Sequence, residues 1–310
     1  MSDTKSAAEL RTVRIGDATI GGSLGEYPTA IMLSMFHQGD RTVTDQKAGR
    51  FDKGRARRYI ERAVELSAAT GNPILLDVLA QTPAAMQQYL AFLAEAAPSV
   101  PFLIDSTSTD AGLAGVQYVA EHGRADLAIY DSIGVKTTPQ ELDAVRNARI
   151  DAAILLAYNP TSLQARGRLD VLRGTRRQEG LLAKAAKAGV TKPLVDTVAL
   201  DLAGLSIAGA AMRLVKHEFG LPVGAGPANS VAIWRHAAKI SRAAKRYLAP
   251  ALCTYLQCCG ANFLLPGPIR HAPRFFAAIA VTDALLAYAP PDGSPPATPK
   301  TRVHPRYTVL

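Results

Sequence analysis

Short apolar runs rich in Ile, Leu and Val recur along the chain at residues 30–36, 74–79, 102–105, 127–131, 152–158, 193–198, 222–226 and 261–266. Between most of them lie longer stretches with apolar residues at three- and four-residue spacing, the signature of amphipathic helices. These fall at 53–69, 82–96, 110–122, 138–147, 180–188, 202–219 and 273–288, with 229–256 read as two helices broken near Pro250. Start and stop signals agree: Thr82-Pro83 and Thr138-Pro139 open helices, and Gly123, Gly189 and Gly220 close them. Strands that are apolar throughout and alternate with helices are parallel and covered on both faces. Eight such units in roughly 250 residues predict an α/β fold, a closed (β/α)8 TIM barrel. Before the first unit, Val13-Arg-Ile-Gly-Asp-Ala-Thr-Ile20 predicts a hairpin turning at Gly16-Asp17, placed to close the bottom of the barrel.

The predicted organisation is a flexible leader (1–12), one barrel domain (13–289) and a Pro-rich tail (290–310) extended over the surface. The leader carries no apolar segment, and no window approaches a membrane span, so a cytoplasmic protein without a membrane anchor is expected. Cys253, Cys258 and Cys259 sit in an apolar helical pattern, read as buried thiols rather than as a disulfide framework or metal site. The formal charge of +9 and pI of about 9.6 raise the question of nucleic acid. Lys and Arg are nevertheless spread over 41–68, 166–192 and 235–246, and aromatics make up only 6% of residues, so no nucleic-acid partner is expected. A basic rim facing an acidic protein or an anionic ligand tail is the better reading.

In a barrel of this kind the working face is formed by the C-terminal strand ends. This sequence puts Asp77, Asp105, Asp131 with Ser132, Asn159 and Asp196 there, followed by Gly224-Ala-Gly-Pro-Ala-Asn229. Each of these could simply cap the following helix. Four Asp at equivalent strand tips argue for a shared polar site. No HxH or HExxH spacing, strand-tip Lys or GxSxG elbow accompanies them, which disfavours zinc, Schiff-base and serine chemistry. A magnesium site remains open, since hard cations take carboxylate oxygens. The favoured reading has no metal: a recognition surface for a polar heterocycle, whose N–H and exocyclic amine a carboxylate accepts side by side. His37, at the end of the first strand, either lines this site or is a hydrogen-bonded structural histidine.

The segments Pro101-Phe-Leu-Ile-Asp105-Ser-Thr-Ser, Ala153-Ile-Leu-Leu-Ala-Tyr-Asn159-Pro, Lys192-Pro-Leu-Val-Asp196-Thr and Gly224-Ala-Gly-Pro-Ala-Asn229-Ser-Val-Ala-Ile-Trp234 carry a family resemblance. So do Asn72-Pro-Ile-Leu-Leu-Asp77, Tyr130-Asp-Ser-Ile133 and Gly260-Ala-Asn-Phe-Leu-Leu-Pro-Gly267. From about Val13 to Tyr288 the chain resembles the H subunit of tetrahydromethanopterin S-methyltransferase and its soluble relatives. The resemblance implies a pterin-binding barrel that moves a methyl group between the cobalt of a corrinoid (methylcobalamin) and N5 of a reduced pterin, tetrahydrofolate or tetrahydromethanopterin. The corrinoid would ride on a partner protein or corrinoid methyltransferase, and a homodimer is common in the group. By the same carry-over Asp105 and Asp196 contact the pterin, Asn159 matches the fifth-strand position, and Asn229 lies near N5. Asp77 matches the family sequence, whereas Asp131, beside Ser132, stands where pterin methyltransferases usually have Asn. The resulting assignment is catalytic roles for Asn229 and Asp105, and ligand binding by Asp77, Asp105, Asp131, Ser132, Asn159 and Asp196. The alternatives are dihydropteroate-synthase-like condensation, which would need a phosphate-binding cation such as Arg270, and a non-catalytic subunit that binds a corrinoid protein.

Overall fold

The computed structural model describes residues 7–234 and 239–288, with the side chains of Asn229, Ala232, Ile233 and Arg242 outside the described set. Eight parallel strands close a barrel in chain order. They are β3 (Ala30–Met35), β6 (Ile74–Leu79), β7 (Phe102–Asp105), β8 (Ala128–Ile133), β9 (Ala152–Leu156), β12 (Lys192–Asp196), β13 (Val223–Ala225) and β14 (Phe263–Pro268). Pairing of Phe263 with Ala30 joins β14 back to β3 and completes the ring. All eight predicted strands are present.

Side-chain alternation divides the interior into two cores. Met32, Leu75, Leu103, Ile129, Ile154 and Leu194 fill the inside of the barrel. Their neighbours in sequence, such as Leu33, Leu76, Ile104 and Val195, face outward onto the helices. This is why the strands read as continuous apolar runs. The antiparallel hairpin β1 (Thr12–Ile15) and β2 (Ala18–Gly21) sends Val13, Ile15, Ala18 and Ile20 into the inner core. It therefore plugs the N-terminal end of the barrel, as expected, and leaves the opposite end open.

The outer layer begins with α1 (Lys53–Thr70), α2 (Pro83–Ala96), α3 (Thr109–Glu121) and α4 (Pro139–Asn147). It continues with α5 (Ala165–Arg173), α6 (Leu181–Lys187), α7 (Leu202–Phe219), α8 (Ala228–Ile233), α9 (Arg242–Cys258) and α10 (Ala272–Tyr288). Thr138 and Glu141 form a capping box at α4, and Thr82, Ser108 and Asp201 cap α2, α3 and α7. Two small hairpins, β4 (Val43–Asp45) with β5 (Arg50–Phe51) and β10 (Gly174–Thr175) with β11 (Gln178–Glu179), decorate the loops. Neither they nor α5 stand out in the sequence pattern.

Three expectations need correction. The 229–256 segment does divide, but α9 runs through Pro250 rather than breaking there. The backbone carbonyl that proline leaves without a donor belongs to Arg246, whose residue is exposed, so water can satisfy it. Part of the leader is tied down: the amides of Ala8 and Arg11 donate to the His217 and Gly220 carbonyls at the end of α7. Cys253 and Cys259 are buried, but Cys258 is exposed. The Pro-rich tail (290–310) lies outside the described residues. Among the described residues no helix is long and apolar enough to cross a membrane.

Candidate functional site

Strand alternation also builds the site. Asp77, Asp105, Asp131 and Asp196 each lie two residues beyond an inward-facing Leu75, Leu103, Ile129 or Leu194, so all four carboxylates point into the same open end. Strand register brings them together: Asp105 pairs with Asp131, and Ser34 with Asp77. The caps of the neighbouring helices come from Thr82, Ser108, Thr138 and Asp201, so none of the four Asp is consumed in that role. They line a cavity of about 750 Å³ together with Ser132, Tyr158, His37 and the apolar Leu79, Leu156 and Leu265.

Oxygens of Asp77, Asp105 and Asp131 all lie within 4.8 Å of one another. Among the described residues no Lys or Arg lines the cavity to neutralise them. Burial pushes Asp105 up to about 6. Asp77 is held well above the usual carboxylate range, first by burial and then by the charge of Asp105. Asp131 is raised in the same way, by burial and then by Asp105, Asp77 and Asp196. Three carboxylates this close, Asp77 buried and the other two half-buried, do not readily all ionise together. Near neutral pH the group therefore holds protons alongside a negative charge. Asp77 Oδ1 is buried with no hydrogen-bond partner among the described residues.

Asp196 is pushed up to about 6 by burial, against the lowering effects of the Val198 amide and Arg168. The Val198 amide donates to Asp196 Oδ1 at 2.7 Å, and Val198 itself takes a left-handed conformation (φ 60°). Arg168 was not anticipated and has no local sequence signal. Its buried guanidinium donates to the carbonyls of Leu163 at 2.7 Å and Thr197 at 3.3 Å, tying the loop after β9 to the loop after β12 beside Asp196. Ser34 was also missed, although its register two residues beyond Met32 places it inward.

Asn159 does not join this site. Its Oδ1 accepts from the Thr161 amide (2.9 Å), the Thr161 hydroxyl (2.8 Å) and the Ser162 amide, while its Nδ2 donates to the Gly167 carbonyl. The side chain shapes the loop after β9 and lies outside the cavity lining. Asn229 falls on α8, and its side chain is outside the described set. Gly224 serves packing rather than a phosphate cradle, because a Cβ there would come within 2.3 Å of the Phe263 carbonyl. His37 fills both of its anticipated roles. It lines the cavity, its Nδ1 donates to the Gln38 carbonyl at 2.8 Å, and Arg270 Nη1 donates to its Nε2 at 3.4 Å.

A (β/α)8 barrel plugged at one end, with four raised carboxylates at the other, defines the class. Its shape is that of dihydropteroate synthases. The Yersinia pestis dihydropteroate synthase with a pterine-sulfa conjugate superposes with TM-score 0.61 at 15% identity, covering 89% of this chain and 98% of that one. The 7,8-dihydropteroate synthase of Vibrio fischeri gives 0.60 at 13% identity, covering 90% and 99%. At such identities the likeness concerns the fold alone. Sequence decides the family. Residues 8–293 match the family described as tetrahydromethanopterin S-methyltransferase MtrH subunit, and the chain belongs to it. The H subunit of tetrahydromethanopterin S-methyltransferase from Methanosarcina acetivorans is 35% identical over 283 residues, covering 88% of this chain and 89% of that protein. Its counterpart from Methanocaldococcus jannaschii is 36% identical over 299 residues, covering 91% and 92%.

Proposed function

We propose that the chain is a methyltransferase that binds a reduced pterin edge-on in the barrel mouth. It moves a methyl group between N5 of that pterin, tetrahydrofolate or the tetrahydromethanopterin of its relatives' names, and a corrinoid carried by a partner protein. The observation that carries the reading is the trio Asp77, Asp105 and Asp131, with oxygens within 4.8 Å and no Lys or Arg lining the cavity among the described residues. Burial raises Asp105 to about 6, and burial together with the charge of Asp105 raises Asp77 and Asp131 well above the usual carboxylate range, so the trio shares protons and offers both acceptors and donors. An amino-pyrimidinone edge presents the complement: ring N–H and amine donors beside a carbonyl and a ring nitrogen. The cavity of about 750 Å³ suits a bicyclic ligand and stays open on one side.

A corrinoid held by the partner would supply the methyl group as a cation equivalent. N5 contributes its lone pair to the new C–N bond and gives up its proton to water. No side chain need form a covalent bond, so the protein orients the ring and sets the field around it. Asp105, with Asp77 and Asp131, fixes one edge, and Asp196 with Ser132 extends the grip. Asn229 is assigned to N5 by family position. At the rim, Leu200 is 46% exposed beside the cavity, an apolar lip suited to an incoming partner.

The test follows the absorption of methylcobalamin anaerobically with tetrahydrofolate and, separately, with tetrahydromethanopterin. Loss of the methylcobalamin band with stoichiometric 5-methyl pterin is expected with at least one. Absence of conversion with both, in protein that binds neither by calorimetry, removes the proposal. Release of pyrophosphate from a pterin pyrophosphate and 4-aminobenzoate would instead establish the condensation chemistry.

A further inference from the structure

A second cavity, of about 500 Å³, opens on the same rim and is built almost wholly of cations. Arg41 comes from the loop after β3, Arg270 and His271 from the turn after β14, Arg274 from α10, and Lys245 and Arg246 from α9. Among the described residues no carboxylate lines it and none of the five Arg and Lys side chains makes an ion pair. The His271 imidazole is pushed down to about 4, first by burial and then by the fields of Arg270, Arg274, Arg41 and His37. Five like charges around one concavity repel one another, and only an anion relieves that repulsion.

The position says which anion. Arg270 donates to His37, and His37 lines the main cavity, so the two spaces are one side chain apart. Arg41 follows His37 by four residues on the same loop, and Gly267 and Pro268, which also line the main cavity, lead directly into Arg270. A partner's acidic face would suit a flat or convex patch. A concave pocket next to the ligand site, separated from it by the His37–Arg270 contact, suits a part of the ligand itself.

We infer that this cavity holds the anionic tail, phosphate or glutamyl carboxylates, of the ligand whose heterocyclic head occupies the main cavity. The inference rests on the reduced-pterin reading above and adds a determinant of which reduced pterin is used. Arg270, held by His37, aligns the start of the tail, while Arg41, Arg274, Lys245 and Arg246 form the charged wall beyond it.

The experiment is anaerobic calorimetry on the full chain with 6-methyltetrahydropterin, which is a head alone, and with tetrahydrofolate triglutamate. It compares the natural protein, Arg41→Gln/Arg274→Gln and Arg41→Lys/Arg274→Lys. Both arginines are exposed, so the variants keep the fold. The glutamine pair is expected to weaken triglutamate binding about tenfold, less at high salt, with head binding unchanged and the lysine pair recovering most of the loss. If the head binds but the triglutamate gains nothing over it, or the variants weaken both equally, the inference falls and the pterin reading stands. If the head fails to bind the natural protein, the reading itself fails and takes the inference with it. If affinities are unchanged but methyl transfer from a corrinoid protein slows while transfer from free methylcobalamin does not, the cavity belongs to the partner and the inference is overturned.

Discussion

Replacing Asp105 with Asn should stabilise the protein while weakening its ligand. In the folded chain burial holds Asp105 up to about 6, against 3.8 for the ordinary carboxyl. A group whose folded pKa is raised keeps its proton longer in the folded state. Its contribution is therefore intact below about pH 4 and is lost as pH rises through about 6. Two pKa units are worth about 3 kcal/mol, and because Asp105 touches a water-accessible cavity we expect about 1–3 kcal/mol. The Asn side chain removes that loss. It also takes away the charge that raises Asp77 and Asp131, whose carboxyls should titrate lower. For a chain of this length the gain corresponds to about 2–6 °C in Tm at pH 7.5, shrinking toward zero near pH 4. Binding of a reduced pterin should fall about 10- to 100-fold, since an ionised acceptor contributes roughly 1.5–3 kcal/mol. Paired thermal melts at pH 4, 5.5 and 7.5, with calorimetry at the highest, decide it. A variant no more stable than the natural protein at pH 7.5, or one whose gain is the same at every pH, would refute the assignment of stored repulsion to this trio.

At the opposite end of the barrel Asp283 accepts from the Thr29 amide (2.8 Å) and hydroxyl (2.6 Å), Asn72 Nδ2 (2.6 Å) and Gln257 Nε2 (2.7 Å). Asp283→Ala would orphan these buried donors and should cost about 3–5 kcal/mol, seen as a lower urea midpoint with pterin affinity preserved in the folded fraction. Arg168→Met removes a field that lowers Asp196, so the Asp196 carboxyl should move above 6 in a ¹³C titration; an unchanged or lower midpoint would mean that Arg168 only braces its loops. If the trio holds a divalent cation rather than a pterin edge, exhaustive chelation will abolish pterin binding and added magnesium will restore it; the present reading expects chelation to leave binding intact.

The parts of this protein that could be read from its sequence are those fixed by strand period. A strand buried on both faces needs an unbroken apolar run, and the residue two beyond an inward Leu must also point inward. That geometry carried Asp77, Asp105, Asp131 and Asp196 to one cavity without further information. Loops follow no such rule. Asn159 looks like its neighbours in sequence, yet an Asx turn with Thr161 and Ser162 claims its acceptor and Gly167 its donor. Arg168 and the cations of the rim are legible only in three dimensions, because Arg41, Lys245, Arg246, Arg270 and Arg274 come from four separate elements. The net charge of +9 therefore conceals a division of labour. Carboxylates that repel one another inside the mouth and cations that repel one another beside it both lack a neutralising partner among the described residues, and a single ligand with a donor-rich head and an anionic tail would relieve both. Such a ligand should bind with proton exchange at its head and with salt dependence at its tail, two signatures that calorimetry in buffers of different ionisation enthalpy and ionic strength can read independently.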